Sequence, residues 1–402
     1  MQRITPRDTQ AQNRPSATYN EHQAPVVGAS RKRVAIVASS AATLPDAMLY
    51  LFREAKRRGH DVFCFTPDWD GRSFQIASSY GAEARESPPI TRGLSPLADE
   101  RAVRQLTAAF RALAPDVVLG VSMKAAALSA LAGRLAGVPH IVPMLLDFGA
   151  AVDALAHPSG WARRQIMKPF WWAALRASHS VILPNSGDRE LLTALGLLPP
   201  HLKVTCIGAP GIDLKTAPHL ALPPLDRGVL FLMVSDLRGV DGVQDYCEAA
   251  ELLQSRTRNA RCMLTGKSVA GGGAITLGEL RRYRGAVQYL GPRDDAVELV
   301  ARCHCRVIPT RGGGRPDIAV AALAFGRPVI ATKTRGLTEA VEHGVNGFLV
   351  PPKDPAALAK AMSQLLQQPD LIPRMANASR AIAERSFDIR AVTLSILSAL
   401  EL

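Results

Sequence analysis

The chain has 402 residues, of which 47% are hydrophobic and 21% are charged. This composition is ordinary for a soluble globular protein, argues against wholesale disorder, and suits two or three domains. It contains no apolar run of about 18 residues, so no membrane-spanning helix is predicted. The 48 Lys and Arg residues against 35 Asp and Glu residues give a net charge of +13. Such a basic balance indicates an anionic partner: nucleic acid, a membrane surface or a phosphorylated ligand.

The N-terminal segment is polar, contains proline and shows no hydrophobic period. We therefore expect residues 1–32 to form a disordered basic tail. The segment lacks the apolar core and the small-residue cleavage site of a secretory signal. The six cysteines are too few and too scattered for a disulfide framework, which favours reduced thiols. Together these features predict a cytoplasmic protein.

Short apolar strands alternate with helical segments over residues 33–207. This alternation, with near-continuous Val, Ile and Leu strands, predicts a parallel sheet covered by helices on both faces. The first helix is expected at Ala47–Arg58, because Gly59 follows it. The predicted strands are Val34–Ala38, Asp61–Phe65, Asp116–Val121, His140–Leu146 and Ser180–Pro184.

The alternation pauses at residues 208–228, whose proline and glycine content predicts a linker. It restarts over 229–377, and residues 378–402 are expected to form a helix that crosses back over the first domain. The predicted fold class is α/β, with two Rossmann-like domains and a cleft between the carboxyl ends of their strands. The predicted elements after the linker are the strands Val229–Val234, Arg261–Leu264, Val287–Leu290, Arg306–Pro309, Pro328–Ala331 and Phe348–Val350 and the helices Val243–Gln254, Ala296–Arg302 and Ile318–Phe325.

Two other patterns suggest ligand sites and are set aside. Residues 264–268 end like a nucleotide-binding P-loop, but Arg261 stands where that loop needs its first glycine. Cys303 and Cys305 flank His304 and could place two ligands on one metal ion, but the sequence shows no matching second pair. Packed, reduced thiols are favoured, and no metal site is predicted.

A glycine-rich turn lies between a predicted strand and a predicted helix. Gly313 and Gly314 let the backbone approach a ligand closely. Pro316 suits the first turn of a helix, whose free N–H groups bind anions. Arg311 and Arg315 flank the turn with guanidinium groups that fit phosphate. The pattern predicts a diphosphate-binding turn; a flexible turn with two solvated arginines is the alternative.

The residues around this turn resemble the signature stretch of family-4 glycosyltransferases. The most specific strings are Gly326-Arg-Pro-Val-Ile-Ala-Thr and Gly344-Val-Asn-Gly-Phe-Leu-Val-Pro-Pro, and the resemblance extends over residues 33–390. It implies the GT-B arrangement of two facing Rossmann-like domains and transfer of a sugar from a nucleotide-sugar donor, with retained anomeric configuration and no bound metal or cofactor. The most similar subgroup builds surface-polysaccharide repeat units, which implies a polyprenyl-linked or polysaccharide acceptor in exopolysaccharide or lipopolysaccharide biosynthesis.

Four positions depart from the pattern of that family. Its E-x7-E pair, which contacts the donor sugar and the ribose, reads Gly313 and Ala321 here. Its Arg and Lys, which grip the donor diphosphate, read Asp236 and Asp241. Because two anions replace two cations, these positions repel a diphosphate. The candidates that remain for diphosphate binding are Arg238, Lys267, Arg311, Gly313, Gly314, Arg315 and Pro316.

These departures leave two functions open. One is an active glycosyltransferase with a remodelled donor site, in which the catalytic residues are unknown. The other is a catalytically silent relative that acts as a partner or scaffold in polysaccharide biosynthesis. A nucleic-acid binder is the third hypothesis, and the sequence shows no helix-turn-helix, RNA-recognition or zinc-finger pattern to support it. No nucleic-acid partner is therefore predicted.

A second basic cluster, at residues 161–176, contains three of the four tryptophans. Trp rings favour the bilayer interface, and Lys and Arg attract anionic headgroups. This pattern predicts peripheral contact with the inner face of the cytoplasmic membrane; a core helix with basic edges is the alternative. The candidate contact residues are Trp161, Arg164, Lys168, Trp171 and Trp172.

Overall fold

The computed structural model describes residues 30–41, 44, 46–90, 95–146, 161–255, 257, 259–269, 274–312 and 317–402, with the backbone alone for 161–167. Residues 1–29 of the predicted tail lie outside this set. The end of that segment is not a tail, because it is bonded to the first domain. Arg31 makes an ion pair with Asp61 at 2.6 Å, and Lys32 Nζ donates to the carbonyl of Glu401 at 2.8 Å.

The first half of the chain forms a parallel sheet. Its strands are β1 (Arg33–Ala38), β2 (Asp61–Thr66), β3 (Ala82–Glu86), β4 (Val117–Val121), β5 (His140–Met144), β6 (Ser180–Leu183) and β7 (Lys203–Cys206). Among the described residues these seven strands lie in the order β3-β2-β1-β4-β5-β6-β7. Its helices are α1 (Asp46–Arg57), α2 (Gly71–Ser79), α3 (Pro96–Leu113), α4 (Met123–Ala136), α5 (Trp161–Arg176) and α6 (Ser186–Ala194).

Burial explains which of these strands the sequence predicts. The central strand β4 is buried at every residue, as expected for a parallel strand with helices on both faces. The edge strand β3 fully buries only Ala82, half-buries Ala84 and otherwise carries Glu and Arg, and the other edge strand β7 has no fully buried residue. Because neither edge strand has a continuous apolar run, the strand pattern misses both.

The second half of the chain forms another parallel sheet. Its strands are β8 (Val229–Val234), β9 (Ala260–Thr265), β10 (Gln288–Tyr289), β11 (Cys305–Ile308), β12 (Val329–Thr332) and β13 (Gly347–Val350). Within the described part of the chain their order is β10-β9-β8-β11-β12-β13. Its helices are α7 (Val243–Gln254), α8 (Leu277–Leu280), α9 (Ala296–Ala301), α10 (Asp317–Ala324), α11 (Leu337–Ala340) and α12 (Pro355–Gln367).

The C-terminal segment crosses back, but the prediction of one helix over 378–402 is wrong. The segment contains the end of α13 (Leu371–Ser386) and a separate helix, α14 (Ile389–Ala399). Phe387 is fully buried at the break, and the Asp388 side chain caps α14 by accepting the N–H of Arg390 at 2.9 Å. Helix α13 packs on α10 of the second domain, whereas α14 packs on α1 of the first.

The two domains are joined by two chain segments that run side by side. The Ile212 N–H donates to the carbonyl of Phe387 at 2.9 Å, and the N–H of Ile389 donates to the carbonyl of Ile212 at 3.0 Å. The hinge is therefore a short parallel pairing between the linker and the C-terminal crossing. None of the described helices is both long and apolar enough to cross a membrane.

Candidate functional site

The carboxyl edges of the two sheets meet across the domain boundary. Ser186, which follows β6, donates from its N–H and its hydroxyl to the Glu339 carboxylate beyond β12, at 2.9 and 2.7 Å. Beside this contact the Arg335 guanidinium lies 3.5 Å from the Asp188 carboxylate. In open parallel sheets, ligands bind at this edge, where the strand order reverses. The candidate site is the cleft between the edges, at β1/β4 on one side and β8/β11 on the other.

Two loops form the β8/β11 corner, and a glycine lets them touch. Gly242 has a φ of +78°, and a Cβ there would lie 1.9 Å from the carbonyl oxygen of Pro309. The loop after β8 therefore rests against the end of β11. Arg311 N–H then donates to the carbonyl of Val240 at 2.7 Å, and the Thr310 hydroxyl donates to the same carbonyl at 3.2 Å.

A third loop, after β9, closes over the first. Gly266 has a φ of +155°, and a Cβ there would lie 1.5 Å from the carbonyl oxygen of Ser235. The Tyr289 hydroxyl holds this turn by donating to the carbonyl of Gly266 at 2.8 Å. The structure thus explains the glycine of the P-loop-like string by close backbone packing. Lys267 follows it and is exposed at the same edge of the sheet.

The predicted diphosphate-binding cations differ in how closely a neighbouring carboxylate holds them. Arg238 is exposed, and its nearest carboxylate, that of Asp236, lies 3.8 Å away. Arg311 is held by Asp245 through two hydrogen bonds, Nε to Oδ2 at 2.9 Å and Nη2 to Oδ1 at 2.5 Å. This pairing raises the pKa of Arg311, mainly through the hydrogen bonds to Asp245. The remaining candidates, Gly313, Gly314, Arg315 and Pro316, lie outside the described residues.

The departures from the family pattern are visible in the structure. Asp236 is exposed at the carboxyl edge of β8, and Asp241 accepts a hydrogen bond from the Ser235 hydroxyl at 2.8 Å. Ala321 is half-buried in α10. The two aspartates therefore lie in the loop that borders the candidate site, where the family resemblance implies cations. Gly313 lies outside the described part of the chain.

The other corner of the cleft, at β1/β4, carries a strained serine. Ser122 has φ 75° and ψ 165°, a conformation that is almost confined to glycine. Its hydroxyl lies 2.7 Å from the hydroxyl of Ser39, the residue after β1. Sequence analysis missed this pair, because 83 residues separate its members. Backbone strain at a strand's carboxyl end points to a role in binding.

We expect the free energy of unfolding of Ser122→Gly to be about 1 kcal/mol higher than that of Ser122→Ala. Strained backbone costs about 1–3 kcal/mol, which glycine avoids, and the larger conformational entropy of glycine in the unfolded chain offsets about 0.5–1 kcal/mol of this gain. Both variants lose the hydroxyl bond to Ser39, so their difference isolates the backbone. Urea denaturation of the two proteins measures it. An alanine variant as stable as the glycine variant would show that Ser122 is not strained.

The cysteine-rich string is packed, as the sequence analysis favours. Cys303 and Cys305 are fully buried, and burial raises the pKa of the Cys303 thiol to about 11. His304 is tied to backbone: its Nδ1 accepts the N–H of Leu230 at 2.9 Å and its Nε2 lies 3.0 Å from the carbonyl of Pro223. No group of three or more His, Cys, Asp or Glu side chains among the described residues could hold a metal ion.

The predicted membrane contact requires one correction. Trp171 is 3% exposed and belongs to the core of the first domain, so it does not present its ring to a membrane. Trp172 is 45% exposed, with the Arg176 guanidinium 4.3 Å from its ring centre. Lys168 is exposed one turn earlier. The side chains of Trp161 and Arg164 lie outside the described residues.

Comparisons with known proteins agree with this architecture. Residues 46–208 match the glycosyl transferase 4-like domain model, and residues 228–368 match the model for glycosyl transferases group 1. The chain is 22% identical over 350 residues to the N,N'-diacetylbacillosaminyl-diphospho-undecaprenol alpha-1,3-N-acetylgalactosaminyltransferase of Campylobacter jejuni, covering 84% of this chain and 90% of the relative.

Solved structures show the same fold. Anabaena HepE in complex with UDP superposes with a TM-score of 0.72 at 20% identity, over 92% of this chain and 99% of HepE. The apo form of the lipopolysaccharide outer core galactosyltransferase WaaB gives a TM-score of 0.68 at 15% identity, over 92% and 99%. The predicted GT-B fold is confirmed.

The pairing of the two domains defines the class of protein. The chain belongs to the family-4-like glycosyltransferases, with the 4-like domain first and the group 1 domain second. It is a transferase of the kind that moves a sugar from a nucleotide-sugar donor to an acceptor.

Proposed function

We propose that this protein transfers a sugar from a nucleoside-diphosphate sugar to a polyprenyl-linked saccharide or a growing polysaccharide. The observation that carries the proposal is the meeting of the two carboxyl edges through Ser186 and Glu339, which creates one cleft between two ligand-binding edges. The undecaprenol-linked acceptor in the name of the Campylobacter relative supports the acceptor class.

Each edge takes one substrate in this proposal. The β8/β11 edge binds the donor, whose diphosphate takes up negative charge as the glycosidic bond breaks. Charge of this kind is stabilised by cations and by a helix N-terminus, so no metal or cofactor is required. Helix α10 begins beside this edge. The β1/β4 edge, with Ser39 and Ser122, binds the acceptor. The sugar retains its anomeric configuration, as the family resemblance implies.

A panel of UDP-, GDP- and dTDP-sugars tests the proposal by calorimetry and by turnover with a polyprenyl-diphosphate-linked saccharide. We expect at least one donor to bind and to be consumed. As a control, Arg302→Ala removes an arginine of the second domain whose side chain is 77% exposed, and it should not change turnover. The silent-partner hypothesis predicts the opposite result. It predicts that the unaltered protein binds no donor. Binding should then appear only in the fourfold variant Gly313→Glu, Ala321→Glu, Asp236→Arg and Asp241→Lys.

We further propose that α5 touches the inner face of the cytoplasmic membrane through an exposed stripe. Lys168, Trp172 and Arg176 are spaced four residues apart, so they share one face of the helix, and all three are exposed. The stripe joins an aromatic ring to two cations, a combination suited to an anionic lipid interface.

Flotation with vesicles of phosphatidylglycerol and phosphatidylethanolamine tests the stripe. Lys168→Ala with Trp172→Ala should lower the bound fraction by about fivefold or more, since one lysine near the surface contributes about 1 kcal/mol. Leu135→Ala, which removes a 60% exposed apolar side chain from α4, is the control. Equal flotation of all three proteins would remove α5 from the proposal.

A further inference from the structure

Two arginines are almost completely buried in the second domain, and they differ in their partners. Arg327 is 0% exposed and donates five hydrogen bonds to described backbone carbonyls, at 2.6 to 3.3 Å. Arg306 is 7% exposed, and within the described residues its guanidinium makes one hydrogen bond, from Nη2 to the carbonyl of Val234 at 3.3 Å. Its Nε is buried without a partner.

Arg306 remains a cation. Burial lowers its pKa to about 10, which still lies above neutral pH. A buried charge is unfavourable unless hydrogen bonds or a counter-ion satisfy it, and within the described part of the chain Arg306 has one hydrogen bond where Arg327 has five. Such an arginine therefore suits a bound anion, because no carboxylate of the described residues pairs with it.

The acidic groups of the neighbouring loop are engaged elsewhere. Asp245 is bonded to Arg311 through both oxygens, Asp241 accepts the Ser235 hydroxyl, and Asp236 points to solvent beside Arg238. Among the described residues, no carboxylate lies within ion-pair distance of Arg306.

The position of the guanidinium matches the donor corner of the cleft. Arg306 lies in β11 opposite Leu232 of β8, and its side chain reaches forward to Val234, the last residue of β8. These are the two strands between which the order of the sheet reverses. The group thus sits beneath the carboxyl edge where ligands of such sheets bind. The residue after β8, Ser235, opens the loop that carries Asp236 and Asp241.

We propose that Arg306 binds the diphosphate of the nucleotide-sugar donor from beneath the carboxyl edge of β8, taking the role of the two cations that Asp236 and Asp241 replace. The inference rests on the proposed function. A guanidinium fork presents paired donors that match phosphate oxygens. The diphosphate would supply the counter-ion that Arg306 lacks.

Three variants test the inference. Arg306→Met removes the charge at similar volume, Arg306→Lys keeps the charge without the fork, and Arg302→Met is the exposed control four residues away. Calorimetry compares UDP with UMP, GDP with GMP and dTDP with dTMP, and thermal denaturation follows each ligand-free protein.

We expect Arg306→Met to weaken nucleoside-diphosphate binding at least tenfold more than monophosphate binding, with Arg306→Lys between it and the unaltered protein. The ligand-free Arg306→Met protein should unfold at the same or a higher temperature, because an unpaired buried charge is gone. An unchanged ratio of diphosphate to monophosphate affinity in both variants overturns the inference. In that case Arg306 is a structural residue that holds Val234. If Arg306→Met does not fold, the ratio for Arg306→Lys decides.

The two proposals fail differently. If the unaltered protein binds none of the three nucleoside diphosphates, the proposed function fails and the role of Arg306 fails with it. If the unaltered protein binds a diphosphate and transfers sugar while Arg306→Met binds it equally well, the role of Arg306 alone is wrong.

Discussion

Arg327→Met is expected to lower the free energy of unfolding by about 3–5 kcal/mol. The side chain donates to the buried carbonyls of Ala301 and Gly326 and to the partly exposed carbonyls of Leu220 and Ala221. Each buried acceptor left without a donor costs about 1–3 kcal/mol. Urea denaturation followed by circular dichroism measures the loss.

The physical reason is that Arg327 fastens the linker to the second domain. Leu220 and Ala221 belong to the segment between the sheets, and neither has a hydrogen-bonding side chain that could replace the guanidinium. Ala217, in the same segment, is buried in the cluster that holds α10. Arg327 and the buried Ala217 therefore hold the linker to the second domain at these points, although much of the linker is exposed.

Arg306→Met is the matched comparison, because it removes another buried arginine from the same domain. Arg327→Met should lower stability, whereas Arg306→Met should leave it unchanged or raise it. A loss below about 1 kcal/mol for Arg327→Met, the value typical of an average substitution, would contradict the assignment of Arg327 as a structural tie.

The sequence predicts the elements that are long, apolar and central. Helix α7 has the predicted bounds, Val243–Gln254, and β8 has the predicted bounds Val229–Val234. Both elements bury an apolar face in one core cluster, so their pattern is read directly from the residues. The edge strands β3 and β7 and the break at Phe387 are not predicted. Exposure to solvent removes the apolar pattern of the edge strands, and packing against neighbouring elements sets the position of the break.

The donor corner could be placed from the sequence, but the state of its charges could not. The glycine turn and the departures at Asp236 and Asp241 are visible in the residues alone. Three of the four carbonyl partners of Arg327, however, lie 26, 106 and 107 residues away, and Asp245 is 66 residues from Arg311. The residues next to an arginine in the sequence therefore do not show whether its guanidinium has hydrogen-bond partners. Sequence analysis therefore places Arg306 only at the start of a predicted strand and treats Arg311 as a candidate cation for the diphosphate.

The second large effect on stability concerns the ion pair between Arg311 and Asp245. Arg311→Ala is expected to lower the free energy of unfolding by about 3 kcal/mol, at the low end of the range for a buried ion pair that loses one partner. The Asp245 side chain is 5% exposed, so its charge cannot turn to water, although its place in the first turn of α7 offers partial compensation. Urea denaturation measures the change.

The double variant Arg311→Ala with Asp245→Asn decides how a loss of activity at Arg311 is to be interpreted. Removing both charges should recover most of the lost stability, because the cost arises from the carboxylate left alone. We expect donor affinity to recover together with stability. The reason is that Asp245 already binds Nε and Nη2 of the guanidinium, so the role of Arg311 is to hold its loop against Val240. If stability returns while nucleoside-diphosphate affinity stays low, Arg311 contacts the donor directly, as the glycine-turn pattern predicts. If the double variant is no more stable than Arg311→Ala, the ion pair is not what holds this corner of the cleft together.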